Sequence, residues 1–352
     1  MSQAKVLITG CAGEIGHSLI DLLVASSPQQ KIVALDMRKP EYSVPPNAEV
    51  EFVQMDITSA PAIAELGEQH EFERIFHLAA ILSTGGERNP LRAHEVNVGG
   101  SVNLLNLARS QSEKRGSPLT FVFPSTIAIY GLPSESIKVT SGEIVEDQFL
   151  SPITMYGMNK LYIENLGRYF QSYYKFLDTD AASGRIDFRS VRLPGIISAF
   201  TEPTGGTSDY GPEMLYAAAK GVPYNCFVEP GARLPFMTMP DALRAITSIA
   251  SAPREKLTRS IYNVTAFSLS ADEIRQEVLK YFPKAEIGYA IHEKRNAIVS
   301  SWPGAVDDSA ARKDWGWEPK FTKDRAFEEY LVPAIRSRYE NQKNEFLKCG
   351  NG

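Results

Sequence analysis

Along the chain, short and nearly unbroken apolar runs alternate with longer stretches carrying apolar residues every three or four positions. Runs at 6–9, 31–35, 50–55, 74–78, 119–123 and 188–193 read as buried strands. Helical spacing follows the first run (Ile15, Leu19, Leu22, Leu23) and returns at 60–69, 92–110 and 155–174. Strands apolar on both faces, separated by helices, predict an α/β fold with a doubly wound parallel sheet. After Pro194-Gly195 the rhythm changes: helices at 214–220, 240–252 and 271–282 alternate with short strands such as 261–264. The expected division is a sheet domain over residues 1–194 and mainly a smaller α/β cap lobe over 195–352. Residues 83–86 and 134–150 read as polar loops, the second longer than most connections. Residues 340–352 read as a fraying helix end and tail.

The first strand breaks into Gly10-Cys11-Ala12-Gly13-Glu14-Ile15-Gly16 before its helix. A strand, a G-x-x-G-x-x-G turn and a helix form the setting in which backbone approaches a dinucleotide's pyrophosphate at a helix N-terminus. The second strand ends in Asp36, 20 residues past Gly16, followed by Met37 and Arg38. A carboxylate there binds the ribose hydroxyls of NAD and repels the 2′-phosphate of NADP. Arg38 either moderates that preference or is a solvated surface residue. Asp56-Ile57 falls where an adenine-edge contact would be made, and a helix N-cap explains Asp56 equally well. Leu78-Ala79-Ala80 lets the chain pass close to a cofactor, whereas His77 before it reads as a packed strand residue rather than a catalyst. Asn97, beside Gly99 and Gly100, is a polar side chain in an apolar setting and needs partners. The strand at 119–123 delivers Pro124-Ser125-Thr126 to the carboxyl edge of the sheet, where ligands of such folds bind.

Tyr156 and Lys160 stand four residues apart and share a helix face, with Ser151-Pro152 as the start signal. An ordinary tyrosine is a poor base at neutral pH, and a neighbouring ammonium favours its phenolate. Alone the pair is a weak signal. It gains weight from the glycine-rich turn and the hydroxyls of Ser125 and Thr126 upstream.

Composition narrows the classes. With 43% hydrophobic and 22% charged residues and a net charge of −5, the chain is of globular type. No basic surface argues for nucleic acid or anionic lipid. Its three cysteines, Cys11, Cys226 and Cys349, are scattered, and with five dispersed histidines they offer no zinc ligand set. The N-terminus runs straight into a strand, and no apolar run reaches the ~18 residues of a membrane span, so a cytoplasmic location is expected.

The glycine-rich turn, Ser125/Thr126 and Tyr156/Lys160, in this order and spacing, resemble the extended branch of the short-chain dehydrogenase/reductase family over nearly the whole chain. In the family a serine stands four residues before a Tyr-Gly. Thr126 holds that place before Tyr130-Gly131, so either Ser125 or Thr126 is the hydroxyl that contacts substrate. A narrower likeness to the L-threonine 3-dehydrogenases of this type rests on five segments: Pro124-Ser125-Thr126-Ile127, Arg192-Leu193-Pro194-Gly195-Ile196-Ile197-Ser198, Gly205-Gly206-Thr207-Ser208-Asp209-Tyr210, Met239-Pro240-Asp241-Ala242 and Ser301-Trp302-Pro303 with Asp307-Asp308-Ser309. Two connections, before Tyr156 and at 178–185, are longer than the family's, and Thr204 replaces a frequent glycine.

The resemblance implies NAD-dependent oxidation of L-threonine to 2-amino-3-oxobutyrate. Tyr156 is then the base, Lys160 tunes it and holds the nicotinamide ribose, and Thr126 with Ser125 orients the hydroxyl. The implied NAD site comprises Gly10, Gly13, Glu14, Ile15, Gly16, Asp36, Met37, Arg38, Asp56, Ile57, Leu78, Ala79, Ala80, Asn97, Tyr156, Lys160 and Pro194. Ser83, Gly206, Thr207 and Ser208 would hold the amino-acid end. A homodimer through the helices near 92–110 and 155–174 is also implied. Two other readings remain: a sugar-nucleotide epimerase or dehydratase, disfavoured by the few basic residues between 195 and 240, and a non-enzymatic NAD sensor, disfavoured by the Tyr/Lys pair.

Overall fold

The computed structural model describes residues 5–40, 44–45, 48–177 and 185–339. The N-terminal residues 1–4, most of the long connection at 178–185, the tail at 340–352 and Cys349 lie outside the described residues.

Seven strands build the central sheet: β1 (Lys5–Thr9), β2 (Ile32–Asp36), β3 (Val50–Gln54), β4 (Phe72–His77), β5 (Thr120–Thr126), β6 (Asp187–Leu193) and β7 (Ile261–Asn263). Their spatial order is β7-β6-β5-β4-β1-β2-β3, and every neighbouring pair is parallel. The reversal between β1 and β4 is the switch point of a doubly wound sheet, outside whose strand ends ligands bind. Strand side chains alternate between two apolar layers. Leu7, Val33, Ile75 and Phe121 pack under helices α2 (Ala60–Gln69), α3 (Ser101–Arg115) and α4 (Met155–Ser172) through Ile63, Leu104 and Ile163. Val6, Ala34, Phe76 and Val122 face α1 (Glu14–Ser26) and α6 (Met239–Ser251, after α5 at Tyr210–Lys220) through Leu19, Ile246 and Ile249. Each fully buried Val, Leu, Ile or Phe among them contributes about 1.5–3 kcal/mol, which fixes the strand ends that carry the cleft.

The lobes are not split by one cut at 194/195. Gly195–Ile197 does enter a second sheet, parallel to Arg233–Thr238, which pairs antiparallel with Phe267–Ser270. Yet α6 packs on the central sheet and β7 joins its edge beside β6. Pattern alone does not reveal this return, because a three-residue apolar strand looks the same in either sheet.

Three expectations for local structure change. Residues 83–86 are not a loop but begin a short helix, Ser83–Arg88. The polar stretch 134–150 holds a helix, Glu135–Ser141, and a strand, Glu143–Ile144, paired with Ala305–Val306 of the cap. The helix expected at 92–110 is one run from Pro90 to Arg115 with π-type turns at Glu95–Gly100.

Candidate active site

Helix α4 begins at Met155 rather than at Ser151-Pro152. The Thr154 hydroxyl caps it, accepting from the Gly157 N–H at 3.1 Å. Gly157 is required by packing: a Cβ there would stand 2.1 Å from the Ala128 carbonyl oxygen. The helix therefore lies directly on the segment following β5, with Tyr156 and Lys160 against Thr126 and Pro124. The Thr126 hydroxyl hydrogen-bonds the Tyr156 phenol, and the Lys160 ammonium donates to the Pro124 carbonyl at 2.7 Å. The Lys160 nitrogen stands 4.2 Å from the Phe123 ring centre and 5.8 Å from that of Tyr156.

Burial dominates the electrostatics. It raises the Tyr156 pKa above the usual phenol value, with only the Thr126 hydrogen bond opposing. It pushes Lys160 down to about 7, against the charge of Glu164 one turn on. The expected lowering of Tyr156 by Lys160 is thus not met in this state. The ammonium spends its hydrogen bond on a carbonyl, and loss of water penalises the charged form of both groups.

Around this pair lies a cleft of about 320 Å³, lined among others by Gly10, Gly13, Glu14, Ile15, Gly16, Leu78, Ala80, Ser83, Ser125, Thr126, Tyr156, Lys160, Pro194, Gly206, Thr207, Ser208 and Trp302. A second cavity of about 400 Å³ continues past Gly10 and Gly13 to Asp36, Met37, Arg38, Ile57, Ala79 and Arg92. Both sizes suit small-ligand sites. They meet at the glycine-rich turn. Gly10 holds φ +75°, and a Cβ on it would fall 2.6 Å from the Ala79 nitrogen, so β1 and β4 can close on each other only with glycine there. The N-terminus of α1 has no side-chain cap, leaving its first N–H groups for an anion. A dinucleotide fits this arrangement: two cavities on either side of a diphosphate seat.

Sequence-named residues divide into those that line the cavities and those that stand behind them. Asp36 lines the second cavity while its carboxylate accepts from the Ala12 N–H at 3.0 Å and the Arg38 N–H at 3.1 Å, pinning the glycine-rich turn. Asp56 is not the N-cap of α2, which is Ser59; its carboxylate takes the Thr58 N–H at 2.9 Å and pairs with Arg92 at 3.0 Å. Asn97 grips the backbone of Ile81 from both sides, at 2.7 and 3.0 Å, and so shapes the wall from behind. His77 is buried between Thr9 at 2.8 Å and Ser101 at 2.7 Å, its pKa driven down to about 3 by burial and by Lys160. It is a neutral structural residue. Ser125 lies buried on the cleft with no partner for its hydroxyl.

The hydroxyl-rich loop crosses the mouth of the cleft. Thr207 donates to Ser83 at 3.1 Å and Thr84 donates to the Gly205 carbonyl at 2.9 Å, joining cap to sheet domain. Asp209 holds the Gly206 N–H at 2.6 Å, and Arg295 donates to the Gly206 carbonyl at 2.8 Å. Thr84, Asp209, Arg295 and Arg92 carry no role in the sequence reading. Arg295 lies 89 residues from its partner and belongs to no local motif, so only the fold reveals it. Glu14, half-buried at the start of α1, is raised by burial and by the Asp209 carboxylate, while Ser198 and Thr201 hydrogen bonds hold it down.

Among the described residues no group of three or more His, Cys, Asp or Glu could hold a metal, and no helix is long and apolar enough to cross a membrane. A parallel seven-stranded sheet, a glycine-rich turn and a Tyr/Lys pair in one cleft, Lys160 buried and Tyr156 half-buried, define a nicotinamide-dependent oxidoreductase of the short-chain type. The model of the NAD-dependent epimerase/dehydratase family matches residues 6–265, and the chain belongs to that family. The mitochondrial L-threonine 3-dehydrogenase of Bos taurus is 35% identical over 319 residues, 91% of this chain and 79% of the relative. An L-threonine dehydrogenase structure from Clostridium difficile superposes with a TM-score of 0.83 at 31% identity, covering 96% of this chain and 99% of that one. A monomeric L-threonine 3-dehydrogenase from a metagenome gives 0.80 at 34% identity, covering 94% and 99%.

Proposed function

We propose that the protein oxidises L-threonine at its 3-hydroxyl to 2-amino-3-oxobutyrate, with NAD as cofactor. The observation that carries this reading is the composition of the cleft. Its walls bring Tyr156, Thr126 and Ser125 together with the Gly206-Thr207-Ser208 loop, and among the described residues its only lining cation is Lys160, already bound to the Pro124 carbonyl. A sugar nucleotide would bring a second diphosphate into a space whose other charged lining residues among those described, Glu14 and Asp209, are carboxylates; a small amino acid needs only hydroxyl and N–H donors for its carboxylate. The named relatives support the same substrate.

Bound NAD supplies the hydride acceptor at nicotinamide C4. Tyr156 takes the hydroxyl proton as the C3–H bond breaks. Thr126, already on the phenol, and Ser125, with an uncommitted hydroxyl, orient the reacting oxygen. Lys160 holds the ribose side and, when protonated, favours the phenolate. Asp36 accepts from the adenosine ribose with the carboxylate sites its backbone bonds leave open, and its charge repels a 2′-phosphate. Thr207 and Ser208 meet the amino-acid end. Contact with the substrate methyl group favours L-threonine over L-serine by about 1–3 kcal/mol.

NADH formation across L-threonine, L-serine, 3-hydroxybutyrate and UDP-glucose tests the reading. The expected result is L-threonine first, L-serine weaker and UDP-glucose silent. Turnover of UDP-glucose without L-threonine would replace it by the epimerase reading.

A further inference from the structure

A further cavity, of about 440 Å³, lies along α4 beyond the cleft and shares no lining residue with it or with the second cavity. Its walls come from α4, from the 146–150 stretch and from the segment 254–261 that leads into β7. Neither the cofactor nor the proposed reaction draws on these residues. Leu161 and Ile261 give it some apolar surface, and the rest of the lining is polar or charged.

The charged groups of this lining are unequally committed. Glu164 takes two bonds from Arg192, at 3.0 and 2.7 Å. Glu146 accepts from the Asn263 N–H at 3.1 Å and faces Arg259 at 3.4 Å, and Asp147 accepts from Arg259 at 3.0 Å. The carboxylates are thus met from within the protein. Two guanidinium groups are not. Arg168, exposed on α4, has no hydrogen bond or ion pair among the described residues. Arg254 gives Nη1 to the Leu257 carbonyl at 3.0 Å and stands 3.5 Å from Asp187 through Nε, which leaves Nη2 open. Beside them the Ser260 oxygen accepts from Gln171 at 2.8 Å and keeps its own hydrogen to give. In a chain of net charge −5, a concavity whose least committed charges are both positive suits an anion.

We propose that this cavity binds the phosphate group of a small anion between Arg168 and Arg254, apart from the catalytic cleft. Donors carried by two separate elements reach a tetrahedral group from more than one side, whereas a flat carboxylate is satisfied by a single guanidinium fork. Arg192 and Glu164 form part of the wall, so the occupant sits against the ion pair that joins α4 to β6. The site is independent of which hydroxyl the cleft oxidises.

Isothermal calorimetry on the NAD-saturated protein tests the site, because bound cofactor fills the anion seat of the glycine-rich turn. The probes are inorganic phosphate, glycerol 3-phosphate and acetate, with ionic strength held constant by chloride. Inorganic phosphate and glycerol 3-phosphate should each bind saturably, one per chain, and the tighter of the two tells whether the free ion or an ester is preferred. Arg168→Gln and Arg254→Gln should each weaken that binding about tenfold or more, while NAD affinity stays within about twofold. Arg168 is exposed and unpaired among the described residues, so its substitution carries the test even if Arg254→Gln fails to fold. Absence of saturable phosphate binding, unchanged affinity in Arg168→Gln, or acetate binding as tightly as phosphate would each overturn the proposal. Turnover of L-threonine enters none of these outcomes, so a failure of the substrate reading is told apart from a failure of this site.

Discussion

At the scale of single residues, the proposed chemistry turns on a half-buried phenol, Tyr156, and a buried amine, Lys160. Tyr156→Phe keeps the ring and removes the transferable proton, so turnover should drop by at least about 10³-fold while NAD affinity stays within a few-fold. Appreciable activity in that variant would exclude Tyr156 as the base. Burial raises Tyr156, so the active phenolate gains population as pH rises, and kcat/KM for L-threonine should climb from pH 6 to 10. A flat or falling profile would contradict the assignment. His77 makes a separate acid-side prediction. Its folded value of about 3 lies below the ordinary 6.5, so unfolding takes up a proton below pH ~6.5, and thermal stability should fall between about pH 6.5 and 3. Asp36→Ala should narrow the preference for NAD over NADP, measured as a ratio of kcat/KM values. Equal efficiency with both cofactors in the wild type would show Arg38 outweighing Asp36. The glycine-rich turn, Asp36 and the Tyr/Lys spacing are legible because each is a local pattern. The raised Tyr156 and the committed Asp56 are not, since burial and ion pairing depend on residues distant in sequence.

At the scale of elements, α4 is fixed to the sheet by a buried ion pair. Arg192 of β6 bonds Glu164 twice, at 3.0 and 2.7 Å, and also the Tyr130 hydroxyl and the Glu146 carbonyl. Tyr130 donates in turn to Asn263 of β7. This network holds together α4, the segment after β5, the 143–147 stretch and the edge strand. Glu164→Ala leaves a buried guanidinium without its counter-charge and should cost about 3–5 kcal/mol in denaturant unfolding, with activity falling as α4 loosens. A loss below about 1 kcal/mol would show that the pair does not anchor the helix. The central strands were readable as unbroken apolar runs. That the short strand at 261–264 joins the central sheet as β7, and the Glu143–Ile144 pairing, were not, because two- and three-residue strands take their partners from the fold rather than from period.

At the scale of the whole molecule, the cleft lies between the carboxyl edge of the central sheet and a cap loop joined to it by Ser83–Thr207 and Thr84–Gly205. Gly206, Thr207 and Ser208, expected from sequence to hold the amino-acid end, line the cleft with Tyr156; sequence could not show that Arg295 braces this loop, nor that β7 returns to the central sheet. The outer face of α4 exposes Met158, Tyr162, Tyr169 and Tyr173, with Leu91 nearby in sequence to the expected second helix. We propose that this face pairs two copies of the chain, and light scattering should give a dimer that Tyr162→Glu dissociates. A monomer in the wild type, as in the metagenomic relative, would remove the proposal. Because the described residues offer no metal cluster, activity should survive chelator treatment. The central claim is that the hydride leaves C3 of L-threonine. The most direct measurement is the mass of the reduced cofactor formed from L-[3-²H]threonine: one mass unit above NADH is predicted, and unlabelled NADH would contradict the account.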